Sequence, residues 1–291
     1  MTQVFRFARS LVAGMLALGA LVAGPAPGTA APLTSAKAPV LPSRASGRLG
    51  PLTNIPQTWN NCGPSSVAEV LAYWGINRSQ AQVQAVLRAD GNPYGMAPYG
   101  VPPYMRGLGM GALLGVVGSE RLVKALVSNG FPVIVSQYVS AADHVGHYRP
   151  IQAYDDRQGV FVSSDPYLGQ GHIIGYDEFD SIWHSTNRRF LVLYPPSRQA
   201  LLNAVLAAAG WDSATAFRQD LAHEYALLKG RTADLTGYGS PRNYYLSIAW
   251  DDSQLNRLLA GRQALRQARR LGANPIVAGW ITDALARAPR S

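Results

Sequence analysis

The chain has 291 residues and a formal net charge of +9, spread unevenly: +5 over residues 1–50, −1 over 51–197 and +5 over 198–291. One cysteine, Cys62, and five scattered histidines leave no pair at metal-ligand spacing except His144 and His147, which the pattern puts in a loop, so no metal and no cofactor is expected. The basic residues do not interleave with aromatics in a recognisable module, which argues against a nucleic-acid partner.

Arg6 and Arg9 precede an apolar run from Leu11 to Val22 and a small-residue stretch ending Gly28-Thr29-Ala30, the pattern of a cleavable signal peptide over residues 1–30. That run is shorter than the roughly 20 residues a bilayer span needs. No later segment is apolar and long enough either, so the expectation is a secreted or periplasmic, cell-envelope associated protein without a transmembrane segment once the signal is removed. Residues 31–50, rich in Pro, Ala, Ser and Gly and without apolar periodicity, read as a disordered linker. Val67, Val70, Leu71 and Trp74 then fall on one stripe of a helix, with Pro64 suited to its first turn and Gly75 to its stop. Ser79 to Ala89 reads as a second helix, residues 91–111 as a long irregular loop, and Ser119 as the cap of a third helix closed by Gly130.

Beyond Gly130 the period switches to two. PVIVSQYV, HYRPIQAY, GVFVSSDPY and RRFLVLY are short β-branched and aromatic runs, and YDEFDSIW before the last is a short helix. Helices first and then strands close in sequence predict an α+β domain over residues 51–196, with N-terminal helices packed on a mostly antiparallel sheet. Residues 197–291 become Ala-, Leu- and Arg-rich with helical spacing, which predicts an all-α C-terminal subdomain of about four helices. Its basic residues would suit an acidic cell-envelope surface, although their even spread fits a solvated helix face better.

Cys62 stands at a helix start, where the partial positive charge of the helix terminus favours a thiolate. A lone cysteine can equally be a small buried hydrophobe. A reactive thiolate needs a proton carrier held by a third group. His147 is the candidate carrier, because it opens a strand and is aimed from a rigid place; His144, His172, His184 and His223 have weaker positions. Asp165 ends the strand that follows, and a two-strand hairpin returns it beside His147. The Cys62 N–H and the Gln57 side chain are candidate oxyanion donors.

The order Gln57, Cys62, His147, Asp165, carried by Q-x-W-N-N-C-G-P-S-S, H-Y ending in A-Y-D-D, S-D-P-Y-L-G and the closing RRFLVLY, resembles papain-like cysteine peptidases of the bacteriocin-processing, double-glycine type, in a stand-alone form. The resemblance covers residues 52–196. It implies that Cys62 is the nucleophile, His147 the general base and acid, Asp165 the orienting residue and Gln57 the oxyanion donor in an exported enzyme that hydrolyses a peptide or protein substrate. The same residues could serve acyl transfer or cell-wall amide cleavage, and a catalytically silent papain-like binding module is the reading from another class. Gln57 lies one residue nearer the cysteine than the usual papain-like spacing, and Pro150 interrupts the strand after His147, where the family more often has an aliphatic residue. No G-x-x-x-x-G-K-[ST] motif occurs, so export-coupled leader cleavage is not implied.

Overall fold

Helix α1, Cys62–Tyr73, is the element on which the rest is arranged in this computed structural model, which describes residues 45–231 and 239–288. The signal-peptide reading of residues 1–30 and the linker reading of 31–44 lie outside the described residues. In α1 the predicted stripe of Val67, Val70 and Leu71 is fully buried. Gly75, at φ 81°, ends the helix with paired bonds from Gly75 N–H to the Ala72 carbonyl and from Ile76 N–H to the Leu71 carbonyl, each 2.9 Å. Helix α2, Gln80–Leu87, starts with a reciprocal capping box between Ser79 and Gln82.

Residues 91–111 are not irregular throughout, as the Gly and Pro content suggested. A 3₁₀ turn at Pro98–Gly100 leads into helix α3, Val101–Gly107, whose prolines 102 and 103 occupy the first turn, where an amide donor is dispensable. Val101 and Met105 anchor it in the core. Strand β1 also departs from the sequence reading: Ser46–Arg48 was expected to belong to a disordered linker over 31–50, and instead it is paired. Leu49 and Leu52 behind it are buried, and this apolar surface, together with free backbone partners on a long strand, is what the composition alone did not show.

One mostly edge-to-edge antiparallel sheet follows. Its strands are β2 (Gly111–Gly115), β3 (Val133–Tyr138), β4 (Gly146–Asp155), β5 (Val160–Asp165), β6 (Gly169–Gly175) and β7 (Phe190–Tyr194), in the spatial order β2-β7-β3-β4-β5-β6. Strand β4 is long enough for β3 to pair with residues 146–151 on one edge while β1 continues that edge over Ala153–Asp155. Helix α4, Glu120–Ser128, capped by Ser119, and α5, Tyr176–His184, complete this part. Strands β2 and β6 were missed because glycines dilute their patterns. At Gly111 and Gly115 a side chain would come within 2.3 Å of the Tyr194 and Phe190 rings, so those glycines let β7's aromatics lie across the strand.

Among the described residues five helices follow where about four were expected: α6 (Gln199–Ala208), α7 (Ser213–Leu228), α8 (Pro241–Gln254), α9 (Leu258–Arg270) and α10 (Pro275–Arg287). They pack directly on the sheet-bearing part. Trp211 donates to the Val116 carbonyl at 3.0 Å, the Tyr99 and Trp250 rings meet at 5.5 Å, and Gly100 leaves room for the Trp280 ring. Among the described residues no helix is long and apolar enough to cross a membrane. The architecture is therefore α+β with an antiparallel sheet, followed by an all-α C-terminal part.

Candidate active site

The chain reaches Cys62 through a tight turn in which Asn61 N–H bonds the Thr58 carbonyl at 3.0 Å and Asn60 takes φ 55°, a left-handed conformation that asparagine tolerates better than most residues. Asn61 is then locked by Thr58, Gln84 and Arg88, all within 2.7 Å. Cys62 is the first residue of α1, so its thiol sits at the positive end of the helix dipole. Glycine is required next, because a Cβ at position 63 would meet Met96 at 2.8 Å. Cys62 is buried but keeps 7% of its surface open.

His147 lies near the start of β4 and Asp165 at the end of β5, and the hairpin brings them together: His147 Nε2 is 2.9 Å from Asp165 Oδ1. The imidazole also lies against the Cys62 thiol, close enough for each to shift the other's proton affinity. Burial alone would push the Cys62 thiol up, but the His147 bond and charge, with the N–H groups of Tyr148 and Gly63, bring it below its ordinary value. For His147 burial works against the cation, and the bonds to Asp165 and Cys62 overcome it and raise the imidazole. Asp165 is fully enclosed, which favours its neutral form. The His147 bond, the charges of His147 and Arg149 and the Leu168 N–H nevertheless hold it well below the usual carboxylate range.

Two chain-specific features shape this corner. The β4–β5 ladder runs only as far as Ile151, so Pro150 stands where the strands part and its missing N–H interrupts no β4–β5 pair. That parting leaves Asp165 free to take the Tyr167 and Leu168 N–H groups, at 2.7 and 2.9 Å, on the oxygen that faces His147. Gln57, despite its closer spacing to Cys62, is tied to the same corner: its N–H bonds the Pro166 carbonyl at 2.9 Å, and its Oε1 is enclosed without a hydrogen-bond partner. Its loop is further fixed by Asn54, which donates to the Asp165 carbonyl at 2.9 Å, and by Gln80, which donates to the Pro56 carbonyl at 2.9 Å.

The other histidines stand apart from this array. His144 is exposed and stacked on Tyr138 at 4.6 Å, His172 is half-buried on β6, His184 is exposed at the end of α5, and His223 lies on α7. Sequence reasoning missed two buried charged residues. Arg149 is two positions after His147, hence on the same face of β4, and its Nε lies 3.1 Å from Asp165 Oδ2. Glu69 is seven positions after Cys62, two helical turns on, where it accepts the Ile55 N–H at 2.8 Å. Burial lifts the Glu69 carboxyl to about 8, against the Ile55 and Ser164 bonds and with help from the Asp165 charge. Among the described residues, no three His, Cys, Asp or Glu side chains are grouped so as to hold a metal ion.

Comparison with known proteins places residues 51–190 in a match to the family described as "Peptidase_C39 like family". Among solved structures, the peptidase domain of Streptococcus ComA, a bi-functional ABC transporter involved in a quorum-sensing pathway, is 21% identical, with a TM-score of 0.41 over 50% of this chain and 99% of that one. A double-glycine motif protease from an AMS/PCAT transporter, solved with its leader peptide, is 22% identical at a TM-score of 0.38, over 51% of this chain and 94% of that one. A C39-like peptidase from Bacillus anthracis is 14% identical at a TM-score of 0.41, over 51% of this chain and 96% of that one. No curated protein sequence matches the chain.

Proposed function

With residues 51–190 taken as a C39-like cysteine peptidase domain, we propose that the protein is a peptide hydrolase in which Cys62, His147 and Asp165 form the reacting set. The observation that carries the reading is the enclosed pairing of His147 Nε2 with Asp165 Oδ1 at 2.9 Å, beside a Cys62 thiol at the start of α1 that the imidazole brings below its ordinary value. The sulfur, its proton held by His147, attacks the scissile carbonyl carbon. The C–O double bond opens to an oxyanion, toward which the Cys62 N–H and the Gln57 amide are the candidate donors. As the carbonyl re-forms, the C–N bond breaks and the imidazolium gives its proton to the departing amine, leaving a thioester on Cys62. A water molecule, deprotonated by His147, then attacks the thioester, and the proton returns to the sulfur as the acid leaves. Asp165 remains a carboxylate throughout, holding the ring and balancing the imidazolium.

The exported location follows from the pattern of residues 1–30, and the exposed arginines of α9, Arg262, Arg266, Arg269 and Arg270, are the part of the chain suited to an acidic envelope polymer. Incubating the protein and a Cys62→Ala control with a diverse peptide library, read by mass spectrometry, tests the reaction. Cleavage by the intact thiol alone is the expected result. A library left whole by a folded protein whose thiol is nonetheless activated would point to a binding module or an acyl transferase instead.

A further inference from the structure

We propose that Arg149 is a positioning residue for the reaction: its buried guanidinium keeps Asp165 a carboxylate aimed at His147, and thereby sets the acid limit of the pH range in which Cys62 is nucleophilic. The inference rests on the reading of Cys62, His147 and Asp165 as the reacting set.

Arg149 is fully enclosed. Its Nη2 donates to the Val139 carbonyl at 2.6 Å and to the Tyr138 carbonyl at 3.3 Å, which fixes the plane of the fork, while Nε faces Asp165 Oδ2 at 3.1 Å. The two carboxylate oxygens are thus divided. Oδ1 takes His147 Nε2 and the N–H groups of Tyr167 and Leu168; Oδ2 has no hydrogen-bond donor and faces the charge of Arg149. A buried carboxylate whose second oxygen lacks a donor is held ionised by a nearby cation or takes up a proton.

A second buried carboxyl makes the cation more consequential. Glu69 on α1 feels the charge of Asp165, and Asn54 and Ser164 lie between them, with Asn54 Nδ2 3.4 Å from Glu69 Oε1 and 3.3 Å from Ser164 Oγ. Two carboxyls enclosed together tend to share a proton, and Arg149 directs it to Glu69 rather than Asp165. The other groups facing Arg149 are Cys62 on α1, Glu178 on α5, and His172 on β6, whose protonation the guanidinium opposes; His147 precedes it on β4. Without Arg149 the proton passes to Asp165 as pH falls. The imidazolium then loses its counter-charge, and the thiolate–imidazolium pair collapses to thiol and imidazole at a higher pH.

Because Cys62 is the only cysteine, alkylation by iodoacetamide reads this thiol alone. The rate is measured against pH for the wild type, Arg149→Met, Arg149→Gln and Arg149→Lys, each checked for folding by circular dichroism. The neutral variants are expected to move the acid midpoint up by about one pH unit, roughly tenfold slower labelling at any pH below both midpoints, and lysine to return part of that shift. Folded neutral variants with an unmoved midpoint overturn the proposal, and so does loss of folding in all three variants, which would make Arg149 a fold-holding residue. A different failure is separately visible: a wild-type protein labelled no faster at neutral pH than a simple thiol dismisses the reacting set itself.

Discussion

Glu69→Gln should make the protein more resistant to unfolding in alkali while changing little in acid. Glu69 has no exposed surface, and its carboxyl stands at about 8 against an ordinary value of 4.5. A folded-state value above the unfolded one means that the native protein binds the proton more tightly. The resulting stability is fully present below pH 4.5, declines as pH rises, and is gone above about 8. At 1.36 kcal/mol per pH unit, this separation sets a ceiling of about 5 kcal/mol on what the wild type loses across that window. Glutamine keeps an oxygen for the Ile55 N–H and has no proton to release. Urea unfolding of both proteins, followed by tryptophan fluorescence at pH 5 and pH 9, reads the difference. The stability gap between variant and wild type should shift in favour of the variant by about 3–5 kcal/mol between the two conditions, since every other group titrates alike in both. A gap that stays constant to within about 0.5 kcal/mol would refute the reasoning, and with it the picture of a neutral acid beneath the thiol.

Asp165→Asn removes the counter-charge that raises the His147 imidazole, so iodoacetamide labelling of Cys62 near pH 6 should slow at least ~tenfold; an unchanged rate contradicts the assigned geometry. Gly100→Ala places a Cβ 2.8 Å from the Trp280 ring and should cost about 1–3 kcal/mol by displacing α10, seen as a lower melting temperature with an altered tryptophan signal. Arg189→Met leaves the buried carboxyls of Asp220, Glu224 and Asp251 without their cation and should destabilise the fold by about 3–5 kcal/mol at neutral pH, with much of the loss recovered in acid; a loss that does not depend on pH would be inconsistent with that cluster.

Periodicity and turn chemistry made α1, α2, α4, four of the seven strands among the described residues and the Ser119 cap legible, because each is a local pattern that tertiary context happened to support. Strand β1 was not legible, since three residues in a Pro- and Gly-rich setting become a strand only when an unpaired stretch of β4 is offered to them. Helix α3 hid behind its own prolines, which break a helix interior but suit its first turn. The hairpin argument for His147 and Asp165 worked because register, a short-range property, decides which residues of adjacent strands lie side by side. Arg149 and Glu69 escaped it for the opposite reason. A charged residue two positions along a strand or two turns along a helix looks like a solvated one until the opposing surface is known, and here that surface is the Asp165 carboxylate.

The helical part is joined to the sheet by charge as well as by packing. Arg189, just before β7, lies in the field of Tyr99 and Tyr148 and of the carboxyls of Asp220, Glu224 and Asp251. Asn187, two residues earlier, donates to Asp220 at 2.5 Å. Three carboxyls facing one guanidinium cannot all be ionised at modest cost, and burial together with Asp220 and Glu224 pushes the Asp251 carboxyl well above its ordinary range. Tyr148 spans both systems: its N–H serves the Cys62 thiol, its hydroxyl donates to the Met96 carbonyl at 3.2 Å, and its ring lies within the field of Arg189. The strand segment that carries His147 is therefore bounded by charged groups on two sides, Arg149 with Asp165 at the thiol and Arg189 with the helical carboxyls behind it. That arrangement makes the rigidity of the reacting set depend on helices that contribute none of its residues.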